Sequence, residues 1–590
     1  MNRLRRTERR PTAEVLAHGR CRVSDSGAGA GLNRTVADAL GAVARSSPDR
    51  PALVASGRRT TYGALDREVS RLAAGLRRRG LSRGGPVVLL QPSGWEAIRG
   101  FFAVARAGGV AVPLNPRLKA RELRLVLEDI QPAMVIAARR VPGNDVEVVL
   151  DELRRIPSLL PETVFVEPDP PAWATSLAAV AVDEAWLDAR AAAGPGELAA
   201  VFYTTGTTGT PKGVMHTHAG LLDSFQRMQE LYASFFSGSA ADTVARMATL
   251  LWRYRARLLR GLGPQVWMTP LPSYSIAGFR FALHALLGGH RLVLMERFQP
   301  RAMLDLVEHE RVTILAVTPS MLEVALDVAE LHRHDLSSLL VVGLGAAPTA
   351  PGLVRRARAT LGCAVVVGYG ATETGGGVLV TRLEDGEREL AETVGRPFPG
   401  AEVRIVDEQR REVPAGVVGE LACRSTGLMA GYHGQTSATA EAVDEDGWYY
   451  TGLAARDGQG YIRILGRKRD LIIRGGHNVV PAEVEAVLLE HPSVAGAAVV
   501  GVPDRVAGET IWAFIVPAEP SLLDLVDLRL HCARRLDAGK VPDQLQLLEE
   551  LPVTETGEIR RMALRALAEL QVTERRRTGR RAADKESSHG

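Results

Sequence analysis

Two patterns of apolar positions alternate along most of this chain. From Leu65 to Arg79, and again from Trp95 to Ala107, apolar residues recur every three to four positions, which predicts helices with one buried stripe. Between and beyond them lie short continuous apolar runs at Pro86–Leu90 and Ala133–Ala137, which predict strands covered on both faces. Similar runs follow at Leu198–Tyr203, Val312–Val317, Leu339–Gly343, Cys363–Gly368, Val403–Val406 and Val418–Cys423. Strands alternating with helices predict a layered α/β architecture. The stretch 224–266 departs from this, with Met, Arg and Ala at helical spacing and no strand signal, and predicts a helical insertion or an extended lid. Around Gly466–Asp470 the pattern changes toward a compact α+β unit. There is no internal repeat, and low complexity is confined to the tails and an Ala-rich stretch at 187–200.

A chain of 590 residues with 46% hydrophobic content can bury more than one core. The expected division is a basic leader over 1–30, a large domain over 31–466, a small C-terminal domain over 467–570 and a polar tail over 571–590. No apolar run approaches the roughly 18 residues of a membrane span, and the Arg-rich start leads into polar sequence rather than a signal core. A cytoplasmic protein is therefore expected. The net charge of +4 hides a basic leader and a basic tail around a mildly acidic body. With no nucleic-acid motif in the body, the tails read as solvated ends and no nucleic-acid partner is expected. The four cysteines, Cys21, Cys363, Cys423 and Cys532, are scattered without ligand spacing, so buried thiols are expected rather than disulfides or metal ligands.

Chemistry concentrates at Tyr203-Thr-Thr-Gly-Thr-Thr-Gly-Thr-Pro-Lys-Gly213. Glycines at Gly206, Gly209 and Gly213 let backbone N–H groups approach phosphate oxygens, and the hydroxyls of Thr204, Thr205, Thr207 and Thr208 can donate to them. Lys212 supplies a cation. It stands out because nearly all basic residues here are arginine, with lysine only at 119, 212, 468, 540 and 585. The spacing is not that of a Walker P-loop.

This loop resembles the signature of the adenylate-forming superfamily, which holds acyl- and aryl-CoA ligases, luciferases and the adenylation domains of peptide synthetases. Further segments follow in the family's order, so the resemblance covers about residues 31–570. Gly343-Leu-Gly-Ala-Ala-Pro348 resembles the element bordering the adenine and acyl pockets, which places Gly343, Gly345, Ala346 and Ala347 there. Gly368-Tyr-Gly-Ala-Thr-Glu373 resembles the motif in which an aromatic ring (Tyr369, beside Gly370) covers adenine. In it a threonine, Thr372, meets the α-phosphate and a glutamate, Glu373, holds Mg²⁺. Pro270-Leu-Pro-Ser-Tyr-Ser-Ile-Ala-Gly278 resembles the acyl-pocket element. It offers Tyr274, Ser275 and Phe279 as lining or as ordinary core, with Ser275 where many ligases carry histidine. No aspartate for an α-amine is found, which disfavours an amino-acid substrate.

Gly466-Arg-Lys-Arg-Asp470 resembles the family's interdomain hinge, with Arg467 toward the ribose or phosphate. Two positions depart from the pattern. Leu453 follows Gly447-Trp-Tyr-Tyr-Thr-Gly452, where the family has a ribose-binding aspartate. Glu558, in Leu551-Pro-Val-Thr-Glu-Thr-Gly-Glu-Ile-Arg-Arg561, stands where the family has a lysine, and reverses its charge. Losing one such preorganised donor costs about 3–4 kcal/mol of transition-state stabilisation, unless Arg560 or Lys540 substitutes.

The resemblance implies an α/β fold with a large multi-sheet N-terminal domain and a small mobile α+β C-terminal domain. It also implies ATP-dependent activation of a small-molecule carboxylic acid through an acyl-adenylate, with Mg²⁺, and CoA as the acceptor thiol. An acyl carrier protein, or an amine or other nitrogen nucleophile, stays open as acceptor. A ligase-fold binding protein without turnover stays open as well.

Overall fold

The computed structural model describes residues 34–182, 193–204, 211–234, 244, 248, 264–347, 349–467, 470–474, 477–504, 507–519, 524–536, 538–554 and 559–572. The chain divides into two compact units, one of residues up to Glu402 with Cys423–Tyr449, the other of Val403–Ala422 with Tyr450 onward.

The first unit is built on two large sheets. One has nine strands and runs, in order, Arg396–Pro397, Gly376–Val380, Ala364–Ala371, Val341–Leu344, Ile314–Val317, Val266–Thr269, Arg291–Leu294, Pro51–Ala55 and Arg58–Thr61. The other has eight strands: Gly431–Tyr432, Lys212–Thr217, Leu198–Thr204, Val110–Leu114, Pro86–Leu90, Met134–Ala137, Glu162–Phe165 and Thr175–Ser176. Their central pairs are parallel, for example Val342 beside Val365 and Val88 beside both Val112 and Val135. The helices Val36–Ser46, Tyr62–Arg78, Trp95–Arg106 and Ile276–Leu287 share one apolar core with strands of both sheets. A second core covers the other face of the nine-stranded sheet with Pro300–His309, Pro319–Leu326 and Pro351–Leu361. A third covers the eight-stranded sheet with Ala120–Ile130 and Val146–Leu153. Each sheet is thus clothed on both faces, which is why its strands read as unbroken apolar runs. Val87, Val88, Val112 and Val135 are all 0% exposed. Full burial of such a side chain contributes about 1.5–3 kcal/mol.

Element ends are set locally. Thr35 caps Val36–Ser46 through its hydroxyl and receives the Asp38 carboxylate in return. Gly362 closes Pro351–Leu361 in the left-handed region, φ 61°, where a side chain would be strained.

The second unit holds a four-stranded sheet, Glu402–Val406, Val418–Arg424, Tyr449–Arg456 and Ile462–Arg467, whose first and third strands begin in the first unit. It also holds a five-stranded sheet around the long hairpin Val494–Asp504 and Gly508–Pro517, with helices Pro481–Leu489 and Leu525–Ala533 packed on it. Arg561 binds the Glu485 carboxylate, with Nη2 3.0 Å from Oε2, and fastens the C-terminal helix segment to this sheet. Cys363, Cys423 and Cys532 are buried free thiols, while Cys21 lies outside the described residues. Among the described residues no helix is long and apolar enough to cross a membrane.

The expected insertion at 224–266 is the continuation of helix His218–Ser234 at its start and strand Val266–Thr269 at its end. Between them, 235–263 is described only at 244 and 248. The leader, the tail beyond 572 and residues 187–192 of the Ala-rich stretch lie outside the described residues.

Candidate active site

The Thr/Gly loop is the tip of a hairpin. Leu198–Thr204 lies parallel to Val110–Leu114 and then pairs antiparallel with Lys212–Thr217, in a register that sets Thr204 opposite Lys212 and Tyr203 opposite Gly213. The loop therefore leaves from the carboxyl end of a parallel strand, where open α/β sheets bind ligands. Thr205, Gly206, Thr207, Thr208 and Gly209 themselves lie outside the described residues. Gly213 is required by packing, because a Cβ there would sit 3.0 Å from the Tyr203 ring. The Tyr203 hydroxyl in turn donates to Asp129, which also meets His433 Nδ1 at 3.2 Å.

Three distant segments converge beyond this hairpin. The short strand Gly431–Tyr432 pairs with Lys212–Thr217, through Val214 with Tyr432 and Met215 with Gly431. That pairing puts the Tyr432 ring 4.8 Å from Lys212 Nζ, in cation–π contact. The Tyr432 hydroxyl donates to Glu373 Oε1 at 2.8 Å, and the Met429 N–H donates to the Glu373 carbonyl at 2.7 Å. His216, fully buried, reaches the Thr372 carbonyl with Nε2 at 2.9 Å. A carbonyl only accepts, so Nε2 carries the proton; burial pushes the imidazole pKa down to about 4 and keeps the ring neutral. Lys212, Thr372 and Glu373 are thereby joined through Tyr432 and His216, neither of which the motif reading singled out. The only sequence trace of Tyr432 is a lone aromatic in the glycine-punctuated run Gly427-Leu-Met-Ala-Gly-Tyr-His-Gly434.

The turn bearing Thr372 and Glu373 is shaped by Thr374, buried at 1% exposure. Its hydroxyl accepts from the Ala371 N–H at 2.9 Å and donates to the Gly376 carbonyl at 2.5 Å. Just before it, Tyr369 and Gly370 end the strand Ala364–Ala371, with a register shift between them, and any Cβ on Gly370 would collide with the Gly376 carbonyl. The neighbouring strand Val341–Leu344 runs out into Gly345, Ala346 and Ala347. Gly345 faces the Gly368 carbonyl, 3.3 Å from where a Cβ would be. Ala346 is held at φ 64°, a left-handed conformation rare outside glycine. At Gly343 and Gly368 a Cβ would meet nothing closer than 3.9 Å and 3.6 Å.

Tyr274 and Phe279 line a small cavity with Gln91, Ile98, Phe101 and Ser273. Phe279 is also core, its ring centroid 4.3 Å from that of Phe101 and 5.3 Å from that of Phe202. Ser275 is engaged in capping helix Ile276–Leu287: its hydroxyl donates to the Pro272 carbonyl at 2.7 Å and accepts from the Gly278 N–H at 3.3 Å.

Comparison with known proteins decides the family. Residues 40–433 match the model of the AMP-binding enzyme, and residues 483–558 match the AMP-binding enzyme C-terminal domain. The chain belongs to the AMP-binding enzyme family. It is 34% identical over 541 residues to the medium-chain fatty-acid–CoA ligase of Escherichia coli (strain K12), covering 90% of each chain. It is 34% identical over 517 residues to the feruloyl-CoA synthase of an Amycolatopsis species, covering 88% of this chain and 95% of that one. The structure resembles that of the amide bond synthetase McbA from Marinactinospora thermotolerans, with a TM-score of 0.75, 29% identity, and coverage of 90% and 99%. The adenylate-forming resemblance of the motifs is thus established, and the activity class is that of an ATP-dependent acid ligase.

Between the two matched regions, Leu453 lies in strand Tyr449–Arg456 and pairs with Gly466, while Gly452 pairs with Arg467. The Arg467 backbone is described and its side chain is not; Glu558 lies outside the described residues. Of the substitutes for the missing lysine, Lys540 is held by Glu483 at 2.7 and 2.8 Å, whereas Arg560 is exposed. Among the described residues no cluster of three or more His, Cys, Asp or Glu forms a metal cage. A single carboxylate, Glu373, linked through Tyr432 to Lys212, suits Mg²⁺, which keeps water and substrate phosphates in most of its coordination positions.

Proposed function

We propose that this enzyme activates a small carboxylic acid as its acyl-adenylate and passes the acyl group to the thiol of CoA. In the first half, a carboxylate oxygen attacks the α-phosphorus of ATP and the bond to the β-phosphate oxygen breaks, releasing pyrophosphate. In the second, the thiolate sulfur attacks the acyl carbon, the bond to the AMP oxygen breaks, and the thiol proton goes to solvent. The observation that carries this reading is the convergence of Lys212, Thr372 and Glu373 through Tyr432 and His216.

Thr204, Lys212 and the loop from Thr205 to Gly209 bind the β- and γ-phosphates, and Thr372 donates to the α-phosphate. Tyr369 covers the adenine, whose edge faces Gly345, Ala346, Ala347 and Gly370. Glu373 holds Mg²⁺, which when bound neutralises charge on the phosphates. Arg467 reaches the ribose or phosphate from the small domain, residues 467–570. Tyr274, Ser275, Phe279, Gly343 and Gly368 border the acyl pocket. Rotation about Gly466–Asp470 admits the acceptor. The enzyme works in the cytoplasm, where ATP and CoA are at hand. The likeness to an amide bond synthetase supports a second reading with a nitrogen nucleophile as acceptor, and the phosphopantetheine thiol of a carrier protein is chemically equivalent to that of CoA.

The test is acid-dependent pyrophosphate release from Mg·ATP across fatty, aryl and amino-aryl acids, with CoA, with amines and with neither. Release that follows one acid class supports activation, and turnover that rises only with amine selects the second reading. No release with any acid, from folded protein that binds ATP, overturns both. Glu558→Lys is expected to raise adenylation about tenfold or more by restoring one charge-stabilising donor.

A further inference from the structure

The turn that carries Glu373 packs against two arginines for which the adenylation chemistry has no use. Arg280, on helix Ile276–Leu287, packs against Gly376 and Gly377. A Cβ on Gly377 would fall 2.8 Å from its Nη2 and 3.2 Å from its Nη1, and one on Gly376 would overlap its side chain. Arg227, on helix His218–Ser234, is 3% exposed and reaches the same region, where a Cβ on Gly427 would meet its Nη2 at 2.5 Å. Gly427 itself abuts Gly375. The glycines are what make room for the guanidinium groups.

The charges here do not balance. Asp223 Oδ2 lies 2.7 Å from Arg227 Nε, and its other oxygen accepts from the Thr426 hydroxyl. Arg227 Nη1 and Nη2 are buried without a hydrogen bond. Arg280 has no carboxylate partner among the described residues. His284, bonded to Ser224 Oγ at 3.1 Å, adds no compensating charge; burial and then both arginines hold its pKa well below the ordinary value. Burial, with Arg227 adding repulsion, lowers the Arg280 guanidinium to about 10. Among the described residues, two cations thus share one carboxylate in a desolvated recess, an arrangement that is costly until an anion enters. Arg280 is half-buried as a residue, whereas Arg227 is buried, so Arg280 is the nearer of the two to solvent.

We propose that Arg280, backed by Arg227, binds a second carboxylate of the substrate, so that the acid activated at Thr372 and Glu373 is a dicarboxylic acid. This rests on the acid-activation reading, which alone puts the reacting carboxyl beside that turn. Arginine suits the task because its planar fork grips a carboxylate through two parallel hydrogen bonds. Arg280 sets specificity, and the reacting atoms do not touch it.

The test compares dicarboxylates from malonate to adipate, and phthalate, with their monomethyl half-esters, which keep the shape and lose one charge. The kcat/KM for pyrophosphate release is expected to favour the best diacid over its half-ester by about 100-fold or more, as for loss of one partner of a buried charge pair. Arg280→Met is expected to bring that ratio close to one and Arg280→Lys to leave it intermediate. A wild-type ratio near one, or a ratio that Arg280→Met leaves unchanged, overturns the proposal while acid activation stands. Should Arg280→Met fail to fold, Arg280→Lys decides alone, since an unchanged ratio there is equally fatal. If no acid releases pyrophosphate, the activation reading falls, and calorimetric titration of the same diacid and half-ester pairs decides this one. Diacid binding that Arg280→Lys weakens at least tenfold upholds the anion site, and absence of diacid binding removes it.

Discussion

Glu373 offers two carboxylate oxygens, one of which accepts from the Tyr432 hydroxyl at 2.8 Å. That bond fixes the carboxylate plane while the Tyr432 ring steadies Lys212 by cation–π contact. Groups that orient a metal-binding carboxylate typically change affinity or activity about 10- to 100-fold when removed. Tyr432→Phe keeps the ring and deletes the hydroxyl. It is expected to lower kcat/KM for pyrophosphate release about tenfold and to raise the Mg²⁺ concentration giving half-maximal rate, with little change in melting temperature. An unaltered Mg²⁺ dependence would mean that the hydroxyl does not position Glu373 for the metal. Lys212 was legible as chemistry because a lone lysine among arginines in a Gly/Thr loop is conspicuous. Tyr432 was not, because its role comes from a two-residue strand pairing with a segment more than two hundred residues away.

The turn from Ala371 to Gly376 depends on Thr374. Its hydroxyl serves two backbone groups from a fully covered position, so deleting it strands an N–H and a carbonyl inside the protein. Leaving such groups unsatisfied costs about 1–3 kcal/mol. Thr374→Val, nearly isosteric, is expected to lower unfolding free energy by that amount and adenylation by a larger factor than stability alone explains, because Thr372 and Glu373 ride on the turn. Urea unfolding and pyrophosphate release on the same preparation check both parts; intact activity would show that the turn holds its shape without the hydroxyl. Parallel strands such as Pro86–Leu90, Met134–Ala137 and Ile314–Val317 were readable as elements to within a few residues, since burial on both faces forces unbroken apolar runs, while Val110–Leu114 and Val266–Thr269 in the same sheets were not read. The strands Lys212–Thr217 and Gly376–Val380 were not read, because each begins in glycine-rich loop sequence and is a strand only through its antiparallel partner.

Across the first unit, His216 and His218 are 0% exposed, and burial holds both near a pKa of about 4, below the ordinary 6.5. The unfolded chain binds protons at these rings before the native state does, so stability is complete above about pH 6.5 and is lost as pH falls toward 4. Each ring contributes up to about 1.4 kcal/mol per pH unit in that window. His218, whose ring nitrogens have no hydrogen bond, is the clean probe. His218→Leu is expected to flatten the slope of urea stability between pH 6.5 and 4.5 by about that amount, and an unchanged slope would mean that the ring is protonated or solvated in the native state. The sequence by itself determined the α/β layering, the order of the motifs and the family, because these follow from local periodicity and from residue types at fixed spacing. Only the tertiary structure decided which side chains meet. The Tyr432–Glu373 bond, the His216 hold on Thr372 and the packing of Arg227 and Arg280 against Gly376, Gly377 and Gly427 all join residues far apart in sequence. Their contacts depend on sheet register and helix packing, which no local pattern encodes.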